Sequence, residues 1–205
     1  MITIDKKATY KAGDFVFKNY INMTEAESRQ ILEWRNDPSV RKNMYNTGII
    51  PWENHQTFIE SLKERTDRFY WQVSNGDVVC GSVNLVDVNH ETGRAELGYF
   101  MAPDQLGGGK GFYFIFSLLE FAFDVLYFES LYGATNVENR SATLLDEYFG
   151  FKKTGEKTLV IDGKPTLFAE HILTKEDFEQ DKSEKLDVER LLLFLRKNKK
   201  ANKTV

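Results

Sequence analysis

Cysteine, histidine and proline are scarce in this chain of 205 residues, and two of those scarcities remove whole classes of chemistry. Cys80 is the only cysteine. An intramolecular disulfide and a cysteine-based zinc cluster are therefore excluded, and the thiol is expected to be a buried structural group in a reducing compartment. The three histidines, His55, His90 and His171, lie far apart, with no carboxylates at ligand spacing around them, so no metal is implied. An excess of positive charge is missing too. Lysine and arginine number 27 against 31 aspartates and glutamates, for a formal charge of −4. A protein that gains affinity by neutralising a phosphate backbone needs the opposite balance, so no nucleic-acid partner is expected. No run approaches the roughly 18 apolar residues of a membrane span, and the opening Met-Ile-Thr-Ile-Asp-Lys-Lys has no apolar stretch behind it. The expectation is a cytoplasmic protein that does not touch membranes.

Enough apolar and aromatic residues are present to bury one substantial core. Phe15 to Ile21 alternates and reads as a strand. Thr24-Glu-Ala-Glu27 is then a capping box opening a helix that carries Ile31, Leu32 and Trp34 and ends at Asp37-Pro38. Ser39 to Pro51 reads as a loop, and Trp52 to Arg65 as a helix with His55, Phe58, Ile59 and Leu62 on one stripe. Period two follows in Phe69 to Val73, Val78 to Val88 and Arg94 to Met101, joined by turn residues into a meander. A glycine-rich loop, Leu106 to Gly111, runs into a helix reaching Leu126. Glu129 to Ala134 is a strand, Glu138 to Tyr148 a helix, and Lys153 to Ile161 with Thr166 to Leu173 a hairpin. The order implies a mixed α/β (α+β) sheet of about seven strands. Residues 1–173 form the domain, and 174–205 a charged helical tail whose Leu186, Leu191, Leu192 and Leu195 can dock on the body or meet a second copy in a homodimer.

The loop Gly107-Gly-Gly-Lys-Gly111 lets the backbone approach a ligand closely, while the helix it opens points unpaired N–H groups and a dipole at an anion. That outlines a pyrophosphate site. The spacing of a nucleotide triphosphatase loop is absent, since Lys110 is followed by Gly111.

Four segments, in this order, resemble the Gcn5-related (GNAT) N-acetyltransferase superfamily: Trp34-Arg-Asn-Asp-Pro38, Arg94-Ala-Glu-Leu-Gly-Tyr-Phe-Met-Ala-Pro103, Gly108-Gly-Lys-Gly111, and Asn139-Arg-Ser-Ala142 leading to Phe149-Gly-Phe151. The resemblance implies that the fourth and fifth strands of the sheet splay apart and that four helices flank it. Acetyl-CoA is implied as co-substrate, its arm beside Tyr99, Phe100 and Met101, its pyrophosphate on Gly108, Gly109, Lys110 and Gly111. Gln105 supplies a polar side chain the usual loop pattern would place elsewhere, and Asn136 and Asn139 stand near the cofactor arm. Where the family often has a tyrosine that protonates the leaving thiolate, this chain has Asp146; Tyr148 is close in sequence, and both are candidates for that acid.

Within the superfamily, Trp34 to Pro38, Asn43-Met-Tyr-Asn-Thr47 and His55-x-x-Phe-Ile-Glu-Ser-Leu62 resemble the nucleotide-sugar N-acetyltransferases of the pseudaminic acid pathway. The acceptor implied is a small molecule, the 4-amino group of a UDP-linked amino-deoxy sugar. A protein N-terminus, a polyamine and a non-catalytic acyl-CoA-binding role remain alternatives. Arg35, Arg41 and Lys42 stand against one Asp37 in the acceptor segment, a balance that suits a pyrophosphate better than a polycation. Arg35 is the candidate phosphate contact. Met44, Tyr45, His55 and Asn84 are candidate acceptor contacts. Proton removal from the amine falls to Glu96, which shares a strand face with Gly98 and Phe100, or to His55.

Overall fold

The computed structural model describes residues 1–107, 109–180 and 182–201. One sheet dominates, with eight strands in the order β1-β2-β3-β4-β5-β6-β8-β7. Strands β2 (Phe15–Asn19), β3 (Phe69–Asn75), β4 (Val78–Asn89) and β5 (Arg94–Met101) form an antiparallel meander with β1 (Thr9–Ala12) at its edge. The expected seven strands become eight because β1 is only four residues long, too short for the alternation of Tyr10 and Ala12, which pack on the core, to stand out. Gly13-Asp14 connects Ala12 to Phe15 as a two-residue hairpin loop, with Gly13 at φ 54°.

Helix α1 (Glu25–Asn36) starts on the expected box: the Thr24 hydroxyl accepts from the Glu27 N–H, and the Glu27 carboxylate accepts from the Thr24 N–H at 2.7 Å. Such caps contribute about 0.5–2 kcal/mol. Asp37 ends α1 and at once caps a second helix, α2 (Pro38–Arg41), inside the segment expected to be loop. The next helix, α3 (Trp52–Ser61), stops short of the expected Arg65, and Lys6 donates to the carbonyls of Leu62, Lys63 and Arg65 beyond it. His90, in the turn after β4, bridges the carbonyls of Ile2 and Thr66.

Helix α4 (Lys110–Glu120) follows β5 and continues into a π-turn, Phe121–Val125, closed by the Leu126 N–H on the Phe121 carbonyl. The chain then returns as β6 (Ser130–Asn136), the one strand parallel to its neighbour. Helix α5 (Arg140–Phe149) leads to the hairpin β7 (Lys152–Ile161) and β8 (Lys164–Thr174), whose Asp162-Gly163 turn has both φ angles positive. The main core lies between the sheet and α4, where Phe17, Trp71, Phe114, Phe121 and Phe149 are buried. A smaller cluster of Tyr20, Ile31 and Leu62 holds α1 and α3 to the other face.

The chain ends in α6 (Lys175–Gln180), α7 (Lys182–Lys185) and α8 (Val188–Ala201). Phe178 is fully buried against Phe116 and Phe123, and Leu191 and Phe194 pack on the same core, whereas Leu186 and Leu192 stay exposed. Among the described residues no helix is long and apolar enough to cross a membrane.

Candidate active site

Parallel pairing of β5 with β6 lasts for three residue pairs, Arg94 with Ser130, Ala95 with Leu131 and Glu96 with Tyr132. Beyond them the strands part. This is the splay expected between the fourth and fifth strands; the extra strand β1 only shifts the count. A cleft of about 780 Å³ fills the gap and runs beneath the segment joining α2 to α3.

Eleven sequence-predicted residues line it: Glu96, Asp146, Tyr99, Phe100, Asn136, Asn139, Arg35, Met44, Tyr45, His55 and Asn84. Strand alternation sorts part of this set. Leu97, Tyr99 and Met101 pack toward the main core, whereas Phe100 packs on the Tyr20 cluster. Gly98 lies opposite Asn84 in the register, and a Cβ there would meet the Asn84 amide at 2.7 Å. The absence of a side chain at 98 thus makes room for Asn84. Asn139 caps α5 by accepting from the Ala142 N–H, and Asn136 accepts from the Glu138 N–H at 3.0 Å. Both asparagines spend an oxygen on shaping the turn between β6 and α5.

The acceptor end is aromatic and carries one conspicuous cation. Tyr20, Phe58, Tyr70, Phe100, Tyr45 and Tyr132 surround it. Arg35 Nη2 donates to the Asn46 carbonyl at 2.8 Å, but Nη1 is buried without a hydrogen-bond partner among the described residues, and no carboxylate there pairs with it. His55 is 6% exposed and bonded at the Ser28 backbone, while its Nε2 is buried and unpartnered. Burial holds its imidazole below the ordinary pKa. Burial pushes the Glu96 carboxyl above the usual range; Lys157 opposes that rise and Asp87 adds to it. A bulge in β4 between Val86 and Asn89 brings Asp87, at φ 50°, beside this carboxyl.

At the other end Asp146 is 7% exposed and accepts from the Thr135 hydroxyl at 2.7 Å. Burial raises its pKa to about 6 against that hydrogen bond. Tyr148 is not brought to the cleft. It points the opposite way from α5, its hydroxyl donating to the Lys185 carbonyl and its ring packed on Phe112 and Phe194, because two residues along a helix turn a side chain to another face. Met101 also stays outside the lining, near Gly111.

Gly108 lies outside the described residues. Around it, Gly107 and Gly109 adopt φ 97° and 78°, and added Cβ atoms would meet nothing within 4 Å. Gly109 is the N-cap of α4, with no side-chain hydrogen bond closing the helix end. An open, left-handed glycine turn on an uncapped helix N-terminus fits the pyrophosphate of acetyl-CoA. Lys110 Nζ donates to Gln105 Oε1 at 3.0 Å, holding two more of the predicted residues at that mouth. Among the described residues no group could hold a metal ion.

Sequence reasoning missed Thr135, His171, Tyr20, Tyr70 and Ser82 in the lining. The polar pair Glu170-His171 between the apolar runs Leu167–Ala169 and Ile172–Leu173 was the available signal for His171. No pattern marked Tyr20, whose hydroxyl meets Ser82 Oγ at 2.5 Å across 62 residues of sequence.

The chain is similar to several known proteins. Acetyltransferase PseH of Campylobacter jejuni is 27% identical over 128 residues, covering 62% of this chain and 78% of the relative. The uncharacterized N-acetyltransferase p20 of Bacillus licheniformis is 26% identical over 137 residues, 64% of this chain and 77% of the relative. Among solved structures, spermidine N-acetyltransferase from Vibrio cholerae, in complex with CoA and spermine, superposes with TM-score 0.73 at 18% identity, covering 80% of this chain and 98% of that one. The PseH complex with acetyl coenzyme A gives TM-score 0.61 at 21% identity, covering 78% and 98%. Residues 21–152 match the profile of the acetyltransferase (GNAT) domain, and the chain belongs to that family as an acetyl-CoA-dependent N-acetyltransferase.

Proposed function

We propose that the acceptor is the 4-amino group of a UDP-linked amino-deoxy sugar. The observation that carries this reading is Arg35, a cation whose Nη1 is buried at the acceptor end with no carboxylate beside it. A guanidinium left in that state favours an anion, and its planar fork suits a phosphate. A polyamine would meet Arg35 as a like charge, with Glu96 the one carboxylate in the lining at that end. The resemblance to the nucleotide-sugar N-acetyltransferases of the pseudaminic acid pathway points the same way. Met44 and Tyr45, the latter 43% exposed, offer apolar faces to a base or sugar ring. His55 offers an acceptor nitrogen to a hydroxyl or N–H of the substrate.

Glu96 takes the proton from the amine, directly or through water. Its raised pKa brings it closer to the working range of a general base. The amine nitrogen then attacks the acetyl carbon in a ternary complex, and backbone N–H groups freed where β5 leaves β6 polarise the thioester oxygen. Tyr99 and Phe100 flank the CoA arm, and Gly109 to Gly111 receive its pyrophosphate.

The test is a screen of UDP-amino sugars against peptides and polyamines, following CoA release. Turnover with a UDP-amino sugar at a kcat/KM well above the other classes is the expected outcome. Preference for a polyamine or a peptide overturns the acceptor assignment.

A further inference from the structure

The acceptor chemistry leaves one polar cluster of the cleft without a task. Asp146 on α5, Thr135 on β6 and His171 on β8 meet at the end away from Arg35, and all three line the cavity. His171 pairs with Gly133, the first β6 residue beyond those that pair with β5, from the opposite edge of β6, and it lines the cleft there. Its Nδ1 is 4.0 Å from Asp146 Oδ2, just longer than a hydrogen bond, and the same oxygen accepts from Thr135. Tyr99 faces the group from β5. Lys153 of β7, opposite His171 in the register, is the nearest cation and is engaged by Glu156. Among the described residues no lysine or arginine pairs with Asp146.

A carboxyl buried without a cation favours its protonated form, and an imidazole buried beside a lysine favours its neutral form. Once the carboxyl has given up its proton, a proton returned to it through the imidazole restores the state that both groups favour, with neither of them charged. Acetyl transfer creates a need for such a proton. When the amine nitrogen bonds to the acetyl carbon and the carbon–sulfur bond breaks, the electron pair stays on sulfur as a thiolate.

We propose that Asp146 gives its carboxyl proton to the departing CoA thiolate, and that His171 is the positioning partner that faces the resulting carboxylate and returns a proton to it from solvent. Atoms balance: Glu96 takes the ammonium proton before attack and releases it to solvent, the attacking nitrogen sheds a second proton to water as the amide forms, sulfur gains one from Asp146, and His171 returns one from solvent to the acid before the next turnover. The inference rests on acetyl transfer from CoA and is independent of which amine is the acceptor. Thr135 acts on the same carboxyl by stabilising its charged form, which sets how far the acid is held back.

The experiment measures kcat against pH with any amine the enzyme accepts, together with a titration of the His171 ring by NMR in the CoA-free protein. Wild-type kcat is expected to fall as pH climbs past the Asp146 titration. Asp146→Asn should lie about 10²-fold below wild type under mildly acidic conditions, with the deficit shrinking at higher pH because the wild type also loses its acid. His171→Leu should lower kcat roughly tenfold and move the falling limb, and His171→Asn, which can donate a hydrogen bond but cannot relay a proton, should keep the fold without restoring the rate. The His171 ring should report the Asp146 titration in the wild type and lose that inflection in Asp146→Asn. Thr135→Val provides a second route if Asp146→Asn fails to fold: loss of its hydrogen bond should move the limb to higher pH. A pH-independent deficit in Asp146→Asn, a His171 titration blind to Asp146, or an unmoved limb in Thr135→Val would overturn the proposal. A failed acceptor screen leaves each of these readouts intact, so the two readings fail separately.

Discussion

At one end of the cleft a guanidinium presents a buried nitrogen with no carboxylate beside it; at the other a carboxyl is buried with no cation beside it. Nearer the surface the chain pairs its charges readily. Arg65 grips Asp67 with two hydrogen bonds and holds that carboxyl well below its usual range, and Lys18 closes on Glu27 at 2.8 Å. The contrast is informative because an unpaired buried charge is costly, and an interior shaped for stability alone would have matched these two or replaced them with apolar groups. Opposite charges held apart in one cavity are suited to a cleft that receives an anion at one end and keeps a proton at the other. Perturbed titratable groups in a cavity mark function more often than architecture.

Removing Glu96 should give the largest effect at the acceptor end. Glu96→Gln is expected to lower kcat by about 10²–10⁴ near neutral pH with little change in KM. The rate of this variant should climb with pH as the amine deprotonates in solution, whereas at the Asp146 end it is the wild type that falls. Profiles of kcat across pH for both variants separate the ends, and identical profiles would collapse the comparison. Arg35→Ala comes next. Truncating one partner of a desolvated charged contact costs about 2–5 kcal/mol, so the acceptor KM should rise by on the order of 10²-fold, with CoA affinity unchanged. A loss confined to CoA binding would place Arg35 at the wrong end. Gly109→Glu is smaller and belongs to the other end. Its φ of 78° strains any side chain, and the carboxylate would repel a pyrophosphate. Calorimetry should show CoA affinity reduced by tens-fold, with the acceptor KM unaffected at saturating CoA.

How much of this was legible in the sequence follows the same division. The sheet, the α1 capping box and the glycine turn before α4 are local signals, set by period, cap and turn chemistry, and the structure has them where the residues indicated. Strand β1 escaped because four residues are too few to display its alternation of Tyr10 and Ala12, and α2 because Asp37 serves two helices at once. Arg35 and Glu96 stood out as charges in segments whose neighbours explain little of them. Tyr148 was misplaced for the opposite reason: its proximity to Asp146 is sequential, and α5 turns it toward the C-terminal helices. His171 could be named but not partnered, since its distance to Asp146 depends on β8 inserting between β6 and β7. Long-range juxtaposition is the part that spacing does not encode.

The last predicted effect tests the thiolate end without any reaction. Asp146 titrates at about 6 in the folded protein against an ordinary 3.8, mainly because burial penalises its charge. A raised carboxyl pKa means the folded state binds the proton more tightly than the unfolded state does. Its contribution to stability is therefore fully present below about pH 4 and is lost as pH rises toward and through 6. Asp146→Asn removes this titration while keeping an oxygen for the Thr135 hydroxyl. Relative to the wild type, the variant should gain stability between pH 4 and 6 and hold a constant advantage above that range, of about 3 kcal/mol, or several degrees in Tm for a chain of this size. Thermal unfolding of the CoA-free protein across pH measures it. Equal pH dependence in the two proteins would mean that Asp146 is already ionised at no cost, and the acid end of the comparison would then lose its proton.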